Sequence, residues 1–204
     1  MLYKIINSRT THLVDKLRDT DTKSHSFREI VKQLGSILAY EASKNMPLSE
    51  KTIPHWQGEY NAKYIPQDNI GVFPVLRAGL GMIEGVMEHF PDSSIYHLGM
   101  YRNEEDAQPV WYKKPATVDC SVAIIPDPML ATGGSALESI KLIQEYGCSK
   151  INLLSIIAAP EGIDRLVKEV PDVDIYVAAI DSHLNDTFFI IPGLGDAGDR
   201  MFNT

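Results

Sequence analysis

The chain has 204 residues, 44% of them hydrophobic, enough to bury the core of one ordinary globular domain without requiring a second. Its net charge of -8 and pI near 5.2 weigh against nucleic acid or an anionic membrane surface as the main partner. Two isolated cysteines, Cys120 and Cys148, read as buried thiols, and no apolar run nears the roughly 18 residues of a spanning helix, so a soluble protein of a reducing cytoplasm is expected.

In chain order, apolar residues recur at helical spacing from Thr11 to Leu17 and from Phe27 to Ala42, predicting two amphipathic helices. Short alternating segments between Pro47 and Asp68, broken by Pro54, Gly58 and Pro66, predict an antiparallel excursion in which Trp56 is a packing anchor. Ile70 to Leu76 reads as a buried strand ending in Arg77-Ala78-Gly79-Leu80-Gly81, followed by a helix to about His89. An arginine beside glycines at a strand's carboxyl end can grip a diphosphate with its planar fork of donors, although a surface ion pair is the plainer alternative. Ser94 to Tyr101 and Val110 to Tyr112 read as strands joined by the charged run 102–109, which composition alone makes a solvated hairpin tip.

Val122-Ala123-Ile124-Ile125 has the composition of a strand buried on both faces, closed off by Pro126 and Pro128. Beyond it lie Asp127, Thr132, Gly133 and Gly134, then a helix from Ser135 to Tyr146 whose first N–H groups can receive an anion. Ser135 and Glu138 also spell a capping box that needs no ligand, and by themselves the two readings weigh equally. Asp127 at the strand's carboxyl end tips the reading toward a ligand. Further strands are expected at Ile151 to Ile157 and Val173 to Ile180, with a helix from Glu161 to Val170 between them. This alternation predicts a parallel sheet covered on both sides. The six histidines lack zinc-site spacing. Gly193, Gly195 and Gly198 spell G-x-G-x-x-G, but the chain given ends at Thr204, so no helix and second strand are expected after it and a dinucleotide reading fails. A tight glycine loop whose backbone N–H and C=O groups can match the polar edge of a flat ligand is the better account.

The run Asp127-Pro128-Met129-Leu130-Ala131-Thr132-Gly133-Gly134-Ser135 resembles the 5-phosphoribosyl 1-pyrophosphate (PRPP) signature of the uracil phosphoribosyltransferases, a type I phosphoribosyltransferase family. PVLRAGLGM at 74–82, GMYRNEE at 99–105, AAPEG at 158–162 and IIPGLGDAGDR at 190–200 are similar to the family in the same order. The resemblance implies an α/β fold, a parallel sheet flanked by helices, with a small β excursion or hood and a flexible lid loop. It implies one domain over 1–204, with N-terminal helices at 9–44, a core at about 68–182 and a base-recognising segment at 183–204.

The implied reaction is uracil plus PRPP giving UMP and diphosphate. The implied PRPP-binding residues are Arg77, Arg102, the run Asp127 to Ser135, and Asp196; the implied uracil-binding residues are Ile190, Gly195, Asp196 and Ala197. Catalytic roles fall to Asp127, Arg102 and Asp196. Magnesium is expected to arrive bound to PRPP, with no protein-built metal site. A homo-oligomer, dimer or higher, and a GTP effector are also implied. Pro126, where an aliphatic residue is usual, and Phe188-Phe189, in place of Gly-Tyr, depart from the family pattern. The alternatives are transfer to another base and a non-catalytic nucleotide-sensing regulator of the same fold.

Overall fold

The computed structural model describes residues 1–66, 69–102 and 109–204, apart from the side chains of Arg102 and Pro109. The elements run β1 (Leu2–Lys4), α1 (Ser8–Arg18), α2 (Ser24–Ser43), β2 (Ser49–His55), β3 (Gly58–Tyr64), β4 (Ile70–Val72), β5 (Val75–Leu76) and α3 (Leu80–Met87). They continue as β6 (Ser94–Ile95), β7 (Leu98–Arg102), β8 (Pro109–Lys113), β9 (Val122–Pro126), β10 (Met129–Leu130), α4 (Gly134–Glu145) and β11 (Lys150–Ala158). Last come α5 (Pro160–Glu169), β12 (Asp174–Ile180), β13 (His183–Leu184), β14 (Ile190–Ile191) and α6 (Ala197–Phe202).

The main sheet is parallel throughout and runs β1-β12-β11-β9-β4-β6, with β10 extending alongside β11. Its central strand β9 is buried at every position, as its β-branched composition predicts. Val122 and Ile124 of that strand pack with α1, α2, α3 and α6, while Ala123 and Ile125 pack with α4 and α5, so helices cover both faces. The architecture is α/β, a parallel sheet flanked by helices with a separate β2–β3 hairpin, as the fold class expected from the sequence has it.

Several boundaries differ from those expected. The run Ile70 to Leu76 is two strands: Phe73 and Pro74 separate β4, in the main sheet, from β5, which pairs with β7 in a three-stranded sheet. Proline has no N–H to donate and ends the ladder there. The run from Ser94 divides in the same way into β6 and β7. The β2–β3 hairpin is antiparallel as predicted, but Trp56 is 84% exposed at its turn and anchors no packing. A helix of six residues, α6, does form at this end, contrary to expectation; it begins at Ala197 and takes in Gly198, and among the described residues no strand comes after it.

The two cysteines are isolated only in sequence. Lys150 lies opposite Val122 in the parallel register, so the residues two before each come side by side, and the Cys120 and Cys148 sulfurs are 2.7 Å apart. Cys148 is buried and Cys120 only half-buried. Among the described residues no helix is long and apolar enough to cross a membrane.

Candidate active site

The order of strands reverses between β4 and β9, since β6 lies outside β4 on one side and β11 and β12 lie beyond β9 on the other. Loops leaving the carboxyl ends of strands diverge at such a point and leave a crevice. Here that crevice is a cavity of about 500 Å³. Its walls come from the Val75–Ala78 and Asp127–Ala136 segments, from Met100 and Tyr101, from Thr187–Phe189, and from Asp196–Gly198.

Asp127 extends the sheet ladder one residue beyond β9. Its N–H donates to the Leu154 carbonyl at 3.0 Å, and its own carbonyl accepts from the Ser155 hydroxyl at 2.8 Å. Pro126 therefore leaves Asp127 in register. The Pro128 carbonyl accepts from the N–H groups of Ile156 and Ile157, both at 3.1 Å, and the Leu130 carbonyl from that of Ala159 at 2.9 Å. Backbone bonds to β11 thus hold the loop up to the point where it turns into α4.

At that turn Gly133 is left-handed, with φ of 75°, and makes no side-chain cap bond to α4. Glu138 points elsewhere, lying 3.8 Å from Lys141. The capping-box alternative is not what forms. Helix geometry leaves the N–H groups of Gly134, Ser135 and Ala136 without intrahelical carbonyls, and all three residues line the cavity. The Thr132 hydroxyl is 3.4 Å from the Gly134 N–H. Arg165 of α5 reaches the Thr132 carbonyl at 3.5 Å while bonded to Glu169, bringing positive charge behind the loop. Sequence reasoning missed this arginine, because only the packing of α5 beside the loop gives it a place here.

Arg77 follows β5 across a cis Leu76–Arg77 peptide. Its guanidinium donates to Asp199 at 2.8 Å and to the Thr204 hydroxyl at 3.2 Å, so it reaches from one wall of the cavity to the C-terminal helix. The ion pair weighed against the clamp in the sequence does form, and Arg77 lines the cavity as well.

The C-terminal segment enters through the β13–β14 pair and the cis Ile191–Pro192 bond. Asp196 and Ala197 line the cavity, and the Asp196 carboxylate caps α6 by accepting the Asp199 N–H at 2.9 Å. The Ala197 N–H meets the Met129 sulfur at 3.4 Å, which ties this turn to the Asp127 loop. Ile190 and Pro128 are buried and do not line the cavity, nor does Gly195, which is exposed. Arg102 closes β7 opposite Pro109; its side chain and residues 103–108 of the expected lid lie outside the described residues.

Phe188 and Phe189 line the mouth, 51% and 48% exposed, on a turn organised by the Asn185 side chain, which accepts from the N–H groups of Thr187 and Phe189. Phe188 has φ of 63°, a conformation that glycine takes without penalty, at the position where the family pattern has glycine.

The cavity thus joins the N-terminal end of α4, an arginine and two carboxylates. Comparison with known proteins agrees. The chain is 36% identical to the AQ2163 protein from Aquifex aeolicus, with a TM-score of 0.94, over 99% of this chain and 98% of that one. Adenine phosphoribosyltransferase from Leishmania donovani has the same fold at 11% identity, with a TM-score of 0.55 over 88% of this chain and 83% of its own. The model of the uracil phosphoribosyltransferase family matches residues 6–204, and the chain belongs to that family of phosphoribosyltransferases.

Proposed function

We propose that the chain transfers the 5-phosphoribosyl group of PRPP to uracil, giving UMP and diphosphate. The observation that carries this reading is a single cavity lined at once by the Asp127–Ser135 loop, by Arg77 and by the Asp196–Ala197 turn. The N–H groups at the head of α4, with Thr132, receive the 5'-phosphate. Asp127 accepts hydrogen bonds from the ribose hydroxyls, while Arg77 and Arg102 hold the diphosphate. Residues Ile190, Gly195, Asp196 and Ala197 form the uracil side, with Ile190 acting from beneath, where it is buried.

The bond from the anomeric carbon to the diphosphate oxygen breaks and its electron pair leaves with diphosphate. The N1 of uracil bonds to that carbon from the opposite face, and Asp196 takes the N1 proton. The transition state resembles an oxocarbenium ion, so the rate comes from holding the base in line and stabilising the departing charge. Water has to be kept from that cation while the product is still able to leave.

Magnesium enters with PRPP. Asp127 and Asp196 both line the cavity, and a hard cation that takes phosphate oxygens, water and one or two carboxylates fits those donors. When bound it offsets charge on the departing diphosphate.

A magnesium-dependent assay of labelled uracil with PRPP, run beside cytosine, orotate and hypoxanthine, tests the reading. Each mismatched buried polar group costs about 1–3 kcal/mol, so uracil should exceed cytosine by about 10²-fold or more in kcat/KM. Equal or better turnover of another base would overturn the assignment of uracil.

The reading extends to a cytoplasmic homo-oligomer, dimer or higher, with GTP as effector. Among the described strands β2 and β3 pair only with each other, and their hairpin exposes Trp56, Tyr60 and Tyr64. Aromatic surface of this kind supports coverage by a second copy. Sedimentation is expected to give a species larger than one chain, and a monomer at assay concentration would sink that part.

A further inference from the structure

We infer that Arg18 of α1 and Asp181, just after β12, are positioning residues for the base loop, fixing the backbone at Gly193 and with it the course of the Gly195–Ala197 segment that meets the base. The inference rests on the uracil side of the site proposed above.

Asp181 has a side chain 4% exposed, and it lies where β12 hands the chain to β13. Its carboxylate takes the Arg18 fork in two bonds, Nη2 to Oδ1 at 2.6 Å and Nη1 to Oδ2 at 2.9 Å. The same Oδ2 accepts the Gly193 N–H at 2.9 Å, while Arg18 Nη1 also donates to the Gly193 carbonyl at 2.6 Å. Both polar backbone groups of Gly193 are therefore claimed by one ion pair. Gly193 is itself left-handed, with φ of 65°, and a Cβ there would come 2.1 Å from the Ile190 carbonyl. The turn has no room for a side chain at this position, and the pair holds its backbone there.

A second arginine continues the grip. Arg200 of α6 donates to the Leu194 carbonyl at 2.9 Å and to the Asp19 carbonyl at 2.6 Å, and it also bonds the Leu17 carbonyl. Leu17 and Asp19 flank Arg18, so the end of α1 and the base loop are tied twice. The Asp196 carbonyl is taken by the Arg200 N–H within α6. The carbonyls of Gly193, Leu194 and Asp196 are thus all taken within the protein, and other groups of the loop are left to meet the base.

Stabilising the fold at large would not explain why both members of one ion pair converge on the backbone of a single glycine of this loop. A planar fork is needed to reach carboxylate and carbonyl together, and lysine cannot reproduce it. Arg18→Lys keeps the charge and loses the fork; Asp181→Asn keeps the shape and loses the charge.

The test combines steady-state kinetics of each full-length variant with amide hydrogen exchange and a thermal melt. In a folded variant the KM for uracil should rise about tenfold or more, with the KM for PRPP within about threefold of the parent. Exchange at Gly193 to Gly195 should quicken in both variants while the sheet amides stay protected. Parallel rises in both KM values, unaltered uracil KM, or unaltered exchange at Gly193 to Gly195 would overturn the inference, as would failure of both variants to fold. If the parent turns over a base other than uracil, the functional reading fails separately, and the exchange measurement still decides the role of the pair.

Discussion

Gly133→Val should abolish measurable PRPP binding and leave the sheet folded. The left-handed φ of 75° at this residue is one that a β-branched side chain resists, and its Cβ would stand 3.1 Å from the Gly162 carbonyl on α5. Relief requires the loop to move, and the loop conformation is what aims the N–H groups of Gly134, Ser135 and Ala136 into the cavity. A hydrogen bond to a charged group contributes about 1.5–3 kcal/mol, and the helix terminus adds up to about 2 kcal/mol in a partly buried site. Losing two such bonds weakens binding by about 10²-fold or more. The strain, about 1–3 kcal/mol, is smaller than the roughly 5–15 kcal/mol that holds a domain together, so the melting temperature falls but a cooperative transition survives. Titration calorimetry with PRPP beside a thermal melt measures both, and near-parental affinity in the folded variant would falsify the anion socket.

The elements that position this socket were legible for a physical reason: their signals are local. A strand buried on both faces reads as a β-branched run, and Val122–Pro126 is such a strand. Helices α1 and α2 follow their apolar stripes, whose burial the structure repeats at Leu13, Leu17, Phe27, Leu34 and Leu38. Short elements escaped because contacts outside the run itself create them. Leu2–Lys4 becomes a strand by lying beside β12, and Ala197–Phe202 becomes a helix once Asp196 caps it. The Ser135–Glu138 capping box was ambiguous in the sequence because nothing local says that Gly133, two residues earlier, would take the cap position. Arg18 and Asp181 are 163 residues apart, and Arg165 is 33 from Thr132. No periodicity links residues at such distances; they meet through the topology of the sheet.

Arg77→Ala should lower kcat/KM for PRPP by about 10²- to 10³-fold, the size of effect that follows loss of a donor aimed at developing charge. The competing expectation comes from Asp199, which already neutralises Arg77 at 2.8 Å and could be the whole purpose of the arginine. Magnitudes decide between the two. Arg77 and Asp199 have side chains 52% and 48% exposed, and an ion pair in water contributes only about 0–1 kcal/mol, so the guanidinium can share itself with a diphosphate at little cost. Two diphosphate oxygens held by the same fork accept bidentate, charge-assisted bonds, which are stronger than the pair they compete with. Asp199 and Thr204 then act to hold the fork near the cavity wall. Asp199→Asn, which keeps a hydrogen-bond acceptor and removes the charge, should change kcat/KM by less than about tenfold, far less than Arg77→Ala. Steady-state kinetics with PRPP varied at saturating uracil compares them. If Arg77→Ala costs no more than Asp199→Asn, the arginine is a surface partner of α6, and the diphosphate must be gripped elsewhere.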